Sequence, residues 1–237
     1  MIDPVLFNIG GFEIKYYGLV YVLGIFLTYF YLKRKKVLDE DKLDKFLFYL
    51  VVGMFIGARI FGITSNEPYA LLKNPLEFFM VWHGGMSFFG GFFGGLIASY
   101  FVLRKDLLKV GDRIVIPISF TLVFGRLANF VNQELVGTIT NVPWCVNFST
   151  AIGCRHPYQI YSALWHLILF LILYFLSKNN YHRGTLFFSF ILGYGFFRFV
   201  TDFFKERATI LGLSVWQHLS IIFFIVGILY FLKIRKR

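Results

Sequence analysis

The sequence predicts an all-α integral membrane protein, a bundle of seven transmembrane helices with a small extracytoplasmic loop region. Three observations predict it. Apolar residues make up 57% of the chain and charged residues 16%, with a mean hydropathy of +0.66, too little charge to cover the surface of a soluble domain of this size. The 32 Phe, 14 Tyr and 4 Trp suit a lipid-facing surface with aromatic belts at its interfaces. Most directly, seven apolar stretches alternate with short polar breaks, at about 16–33, 44–63, 83–103, 112–131, 158–177, 185–204 and 214–232. Each is long enough, at 1.5 Å rise per residue, for a helix to cross a ~30 Å hydrocarbon core.

The first two stretches are clean except for Arg59 late in the second, whereas Gly and Pro interrupt the third and fourth. The last three are separated by short breaks. No repeat or low-complexity segment divides the chain, so residues 1–237 read as one transmembrane domain with 132–157 as an extracytoplasmic loop or head segment. Residues 1–15 carry Asp3 and Pro4 and no basic run, which does not fit a cleavable signal peptide.

Orientation follows from Lys and Arg. With the N-terminus outside, 16 of the 24 fall on the inner side: 33–36, Lys42 and Lys45; Arg104, Lys105, Lys109 and Arg113; Lys178 and Arg183; Lys233 and 235–237. That asymmetry places the N-terminus outside and the C-terminus in the cytoplasm. It also accounts for the net charge of +11 as topogenic and lipid-facing charge, with no soluble basic domain to hold nucleic acid. The 132–157 segment then lies on the oxidising side. A disulfide between its Cys145 and Cys154 is the expectation there, with two unpaired thiols as the alternative; no His–Cys spacing marks an activated thiolate.

Ionisable groups at membrane depth are costly and need an interior partner or an aqueous pocket. Arg59, Arg126 and Arg198 all belong to helices expected to end on the outer side. Arg126 and Asn129 share a helical face, followed by Asn132 and Glu134; Tyr194, Arg198 and Asp202 step by four along the sixth stretch. A planar guanidinium donates paired charge-assisted hydrogen bonds to phosphate, so these residues point to an anionic lipid headgroup. Six glycines between Gly84 and Gly95 fit either close helix packing or a broken helix exposing backbone N–H groups to an anion. A lipid-using enzyme and a lipid or anion transporter both remain open on these grounds.

The segment Gly125-Arg126-Leu127-Ala128-Asn129-Phe130-Val131-Asn132-Gln133-Glu134-Leu135-Val136-Gly137 closely resembles the signature of prolipoprotein diacylglyceryl transferases. Further blocks fall in that family's order: Tyr16 to Leu19, Gly57 to Ile60, Trp82 to Ser87, Arg155 to Tyr161, Gly193 to Arg198, and Gln217 to Ser220. The resemblance runs from about residue 3 to 232. It implies a seven-helix enzyme of the bacterial cytoplasmic (inner) membrane that needs no cofactor or metal. The enzyme would move the diacylglyceryl group of phosphatidylglycerol onto the lipobox cysteine of a preprolipoprotein signal peptide, forming a thioether and releasing glycerol 1-phosphate. Carried over by position, it implies catalytic roles for Arg126, Asn129, Glu134, His156 and Arg198. For phosphatidylglycerol binding it implies Tyr17, Arg59, Gly137 and Tyr194 besides Arg126 and Arg198.

Two positions depart from the family pattern. Phe89 stands where His is common and Tyr occurs, and Phe can neither accept a proton nor donate a hydrogen bond; His83 is a candidate substitute imidazole. Ser162 stands where Glu often follows the tyrosine. The expected chemistry is attack of a thiolate on the glyceryl CH₂ as a phosphate monoester leaves, with Arg126 and Arg198 meeting the developing charge. Asn129 would orient substrate, and Glu134 or His156 would take the proton. The rival readings are the transporter, which predicts matched broken helices, and a family member that binds phospholipid without catalysis, motivated by Phe89.

Overall fold

The computed structural model describes residues 5–9, 12–66, 69–80, 86–206 and 211–235, with backbone alone at 5–9, 12–17, 21, 65–66 and 88–89. Internal packing divides the chain into Leu32–Val110 and a second unit built from Met1–Tyr31 with Gly111–Arg237.

In the Leu32–Val110 unit, α2 (Glu40–Asn66) packs against α4 (Phe88–Leu103), with the short α3 (Ala70–Lys73) and a 3-10 turn at Pro75–Phe78 between them. Glycines set the α2–α4 distance. A Cβ at Gly53 would sit 2.7 Å from the Gly94 carbonyl oxygen, and Cβ atoms at Gly57, Gly90 and Gly94 would run into facing backbone. These glycines therefore act through close packing, the small-residue geometry of membrane helix pairs. The helix starts at Phe88 rather than at 83 because Ser87 is its cap, accepting a hydrogen bond from Gly90 N at 3.3 Å. Residues 81–85, with His83, lie outside the described residues, as does the side chain of Phe89.

The second unit contains a hairpin of β1 (Val5–Ile9) and β2 (Phe12–Lys15), then α1 (Tyr16–Arg34), whose last three residues fall in the other unit. After α5 (Leu107–Val131) the chain forms a second, two-residue-stranded hairpin of β3 (Val146–Asn147) and β4 (Cys154–Arg155). α6 (Tyr158–Leu176), α7 (Thr185–Thr201, extended by a 3-10 turn through Phe204) and α8 (Val215–Arg235) follow. Pro117 is tolerated inside α5, where Thr121 Oγ1 donates to the Pro117 carbonyl at 2.9 Å. Val115 and Ile116 of α5, Leu169 and Leu173 of α6, and Leu186 of α7 form the apolar core, with Phe and Tyr rings packed around it. Gly195 lets α7 approach the Ser220 carbonyl of α8, where a Cβ would stand 2.7 Å away.

Helices thus form where the apolar stretches predict them, and the chain is an integral membrane protein. Five stretches of described residues are long and apolar enough to cross a bilayer: Glu40–Thr64, Gly90–Val131, Tyr158–Leu176, Thr185–Phe204 and Val215–Arg235. Large apolar side chains such as Phe48 (63% exposed) and Phe175 (59%) line helix exteriors, while Arg59, Gln159, Asp202 and Gln217 are 0% exposed. Apolar outside and polar inside is the distribution a hydrocarbon solvent imposes.

Candidate active site

The site is built where α5 leaves its span. Helical geometry puts Arg126 and Asn129 on one face, and Arg126 Nη1 donates to Asn129 Oδ1 at 3.4 Å. Past Val131 the chain turns through left-handed backbone at Gln133 (φ 54°) and Leu135 (φ 56°). The turn swings Glu134 back over the helix end. Its carboxylate accepts from Asn129 Nδ2 at 3.1 Å and from Asn132 Nδ2 at 3.3 Å, which orients both amides.

The loop beyond fixes that turn. Gln133 Oε1 accepts from the backbone and hydroxyl of Ser149 at 2.6 and 2.8 Å, and Cys145 and Cys154 are joined as a disulfide with Cα atoms 5.5 Å apart. Gly137 bridges Lys205 in antiparallel fashion, and a Cβ there would meet the backbone oxygens of His156 and Phe204. Arg155 Nη1 donates to the Gly137 carbonyl at 3.0 Å and pairs with Glu206 Oε2 at 2.6 Å. Arg155 thus ties the loop to the segment after α7. His156 Nδ1 lies 3.1 Å from Tyr161 Oη, which accepts from Trp144 Nε1 at 2.7 Å. His156 is placed as a strut between loop and α6.

Gln159, wholly buried near the start of α6, donates from Nε2 to the Glu134 carbonyl at 2.6 Å. Its neighbour Tyr158, also 0% exposed, accepts from Arg198 Nη1 at 2.7 Å. Arg198 Nη2 stands 3.8 Å from Asp202 Oδ1, and its Cζ sits 5.0 Å over the Trp216 ring. Asp202 accepts from Ser214 Oγ, which also caps α8 by accepting from Gln217 N at 3.0 Å; Gln217 Oε1 accepts from Ser214 N at 3.0 Å. Gln217 Nε2 then reaches the Phe199 carbonyl at 3.2 Å. Polar contacts therefore run from Arg126 on α5 to Gln159 at the start of α6, and from its neighbour Tyr158 to Arg198 on α7 and the cap of α8.

Two features leave these contacts open to an anion. Among the described residues, Arg198 Nε is buried with no hydrogen-bond partner and Arg126 makes one long bond, to Asn129. Both guanidinium groups lie near enough to act on the His166 ring electrostatically. Beside Arg198 a narrow cleft lies between α6 and α7, lined by Ser162, His166, Tyr194 and Thr201 among others.

Arg126, Asn129, Glu134, Tyr194, Arg198, His156 and Gly137 therefore all fall in the Met1–Tyr31 and Gly111–Arg237 unit. Arg59 belongs to the other unit. It is 0% exposed, and its guanidinium donates to the carbonyls of Phe78 (2.9 Å), Met80 (3.2 Å) and Glu77. The Tyr17 side chain lies outside the described residues. Sequence reasoning gave no role to Gln159 and Gln217, although both stand in the blocks that resemble the family, nor to Ser214 and His166. The first three act across elements; His166 carried a usable signal, an imidazole within an apolar span.

A model of the family described as prolipoprotein diacylglyceryl transferase matches residues 4–233. The phosphatidylglycerol–prolipoprotein diacylglyceryl transferase of Geobacter sulfurreducens is 37% identical over 253 aligned residues, covering 100% of this chain and 96% of the relative. The enzyme of that name from Pasteurella multocida is 38% identical over 228, covering 92% and 84%. That of Bordetella parapertussis is 37% identical over 244, covering 95% and 93%.

Proposed function

Because the chain belongs to the prolipoprotein diacylglyceryl transferase family, we propose that its polar contacts across α5–α8 are where it carries out that family's reaction. It is a transferase that uses phosphatidylglycerol as donor and a prolipoprotein as acceptor. The observation that carries the site assignment is that Arg126 and Arg198 both keep donors to spare among the described residues, the first at the exit of α5 and the second buried on α7.

In this reading the headgroup phosphate takes paired hydrogen bonds from the two guanidinium groups. The thiolate of the lipobox cysteine attacks the glyceryl CH₂. A carbon–sulfur bond forms, the carbon–oxygen bond breaks, and its electron pair leaves on the phosphate oxygen as glycerol 1-phosphate. Charge grows on that oxygen in the transition state, where Arg126 and Arg198 stabilise it most. Asn129 orients Arg126, Glu134 orients Asn129, and Asp202 with Ser214 holds Arg198. Gly137, Arg155 and His156 brace the loop that presents Glu134. Tyr194 lines the cleft beside Arg198, and Arg59 secures the Glu77–Met80 segment of its own unit.

The proposed setting is the bacterial inner membrane, crossed seven times by a single domain. Gly90–Val131 is 42 residues long, about twice a single crossing. Its break at Arg104, with φ 45°, supports two crossings joined by a cytoplasmic turn. The inward excess of Lys and Arg supports an outer N-terminus, and the Cys145–Cys154 disulfide supports an oxidising location for 132–157.

The test is reconstitution of the full chain in phosphatidylglycerol vesicles with a lipobox peptide, following peptide mass. A diacylglyceryl adduct is expected on the cysteine peptide and none on its Cys→Ser counterpart. No adduct, beside an active relative, would overturn the proposal.

A further inference from the structure

Tyr158 and Gln159 open α6, adjacent in the chain and both 0% exposed. Successive helical residues point about 100° apart, and these two reach different helices. Tyr158 Oη accepts from Arg198 Nη1 of α7 at 2.7 Å. Gln159 Nε2 donates at 2.6 Å to the Glu134 carbonyl beyond α5, inside the turn that left-handed backbone at Gln133 and Leu135 makes. Glu134 N donates to the Asn129 carbonyl at 2.9 Å, so α5 and α6 grip that turn from two sides. Among the described residues, Gln159 Oε1 is buried without a hydrogen-bond partner. A buried amide with one half unpaired is costly, and an apolar side chain of that size would avoid the cost. What the glutamine supplies is the bond to Glu134. The start of α6 is itself anchored, because His156 N donates to the Thr138 carbonyl at 3.0 Å and Pro157 fixes the backbone before Tyr158.

We propose that Tyr158 and Gln159 are paired positioning residues for the transfer, tying both arginines to one turn of α6; the assignment rests on the transferase reading. Tyr158 works on Arg198 directly. Gln159 works through others. It pins the backbone of Glu134, whose carboxylate accepts from Asn129 at 3.1 Å, and Asn129 in turn meets Arg126 at 3.4 Å. Because the two anchors are consecutive residues, a shift of α6 acts on both arms together. A phosphate bridging two guanidinium groups needs them at one fixed spacing, and the shared turn supplies it. The demand is strictest in the transition state, where charge on the leaving oxygen is greatest. A misplaced donor costs rate even when the lipid still binds, so both residues bear on kcat more than on KM.

Double-mutant cycles on the full chain in phosphatidylglycerol vesicles, reading transfer to a lipobox peptide, test this. Y158F keeps the ring and removes only the hydroxyl; Q159M keeps the length and removes the amide. Y158F should lose at least ~10-fold in kcat and Q159M about 5-fold, each with little change in KM for phosphatidylglycerol. Y158F placed in R198A, and Q159M placed in E134A, should cost nothing more, because the group each one aims is gone. Placed in C145S/C154S, whose lost disulfide serves stability, each should still cost its full factor. A merely structural role would multiply in every background. Multiplying losses in R198A or E134A overturn the proposal, as does wild-type kcat in Y158F or in Q159M. Y158F loses a single oxygen, so its cycle alone can overturn the proposal should Q159M not fold. A wild type that forms no adduct sinks the transferase reading itself, while an active wild type with multiplying losses sinks only the positioning roles.

Discussion

Arg198 is held from several sides, by Tyr158 Oη, by Asp202 and by the Trp216 ring, so its guanidinium is fixed in place by the fold, as the proposed role requires. Arg198→Lys keeps the charge but loses the planar fork. It should cut kcat/KM at least ~10-fold, by analogy with the 1.5–3 kcal/mol of a hydrogen bond to a charged group; initial rates across phosphatidylglycerol densities would show it. Ser214→Ala removes a donor to Asp202 and the α8 cap together. A kcat loss of about 10-fold is expected there, with partial rescue by Ser214→Thr. At this scale the sequence was informative where a helix sets the geometry. Arg126 with Asn129, and Arg198 with Asp202, lie three and four residues apart on single helices. It was silent on Gln159 holding Glu134 and on Arg155 holding Glu206, because those pairs are 25 and 51 residues apart and only the fold joins them. His166 was missed although the rule that singled out the arginines, an ionisable group in an apolar span, applies to it equally.

Among the elements, the 132–157 loop gains its shape from small, replaceable devices. The disulfide closes a loop over nine residues of separation, worth about 2.5 kcal/mol in the chain-entropy account. Replacing both cysteines by serine should lower the melting temperature far more than it lowers kcat, as a thermal ramp beside an activity assay would reveal. Gly137→Ala is a different case. Its Cβ would press on two backbone oxygens, and relief requires parting the loop from the segment after α7, so stability and activity should fall together, stability by about 1–3 kcal/mol. The helix limits were legible because apolar runs and polar breaks mark them directly, as at 158–177 against Tyr158–Leu176. The two hairpins were not. β3 and β4 have two residues each, too short for an alternating pattern to register.

For the molecule as a whole, the proposed topology and the proposed site are each open to direct measurement. Reporter fusions after residue 150 should report the periplasm and fusions after residue 235 the cytoplasm; the reverse pattern would undo the proposed orientation. The central claim is that Arg126 and Arg198 together bind the phosphate and stabilise its departure. That claim rests on the family likeness carried over by position and on the donors that both groups keep to spare among the described residues. The most direct measurement is the rate of diacylglyceryl transfer to a lipobox peptide by wild type, Arg126→Ala, Arg198→Ala and the double variant, reconstituted side by side. If both groups act on one leaving phosphate, each single variant loses at least ~100-fold, and the double loses much less than the product of the singles. Full activity in Arg126→Ala, or strictly multiplicative losses, would contradict the account.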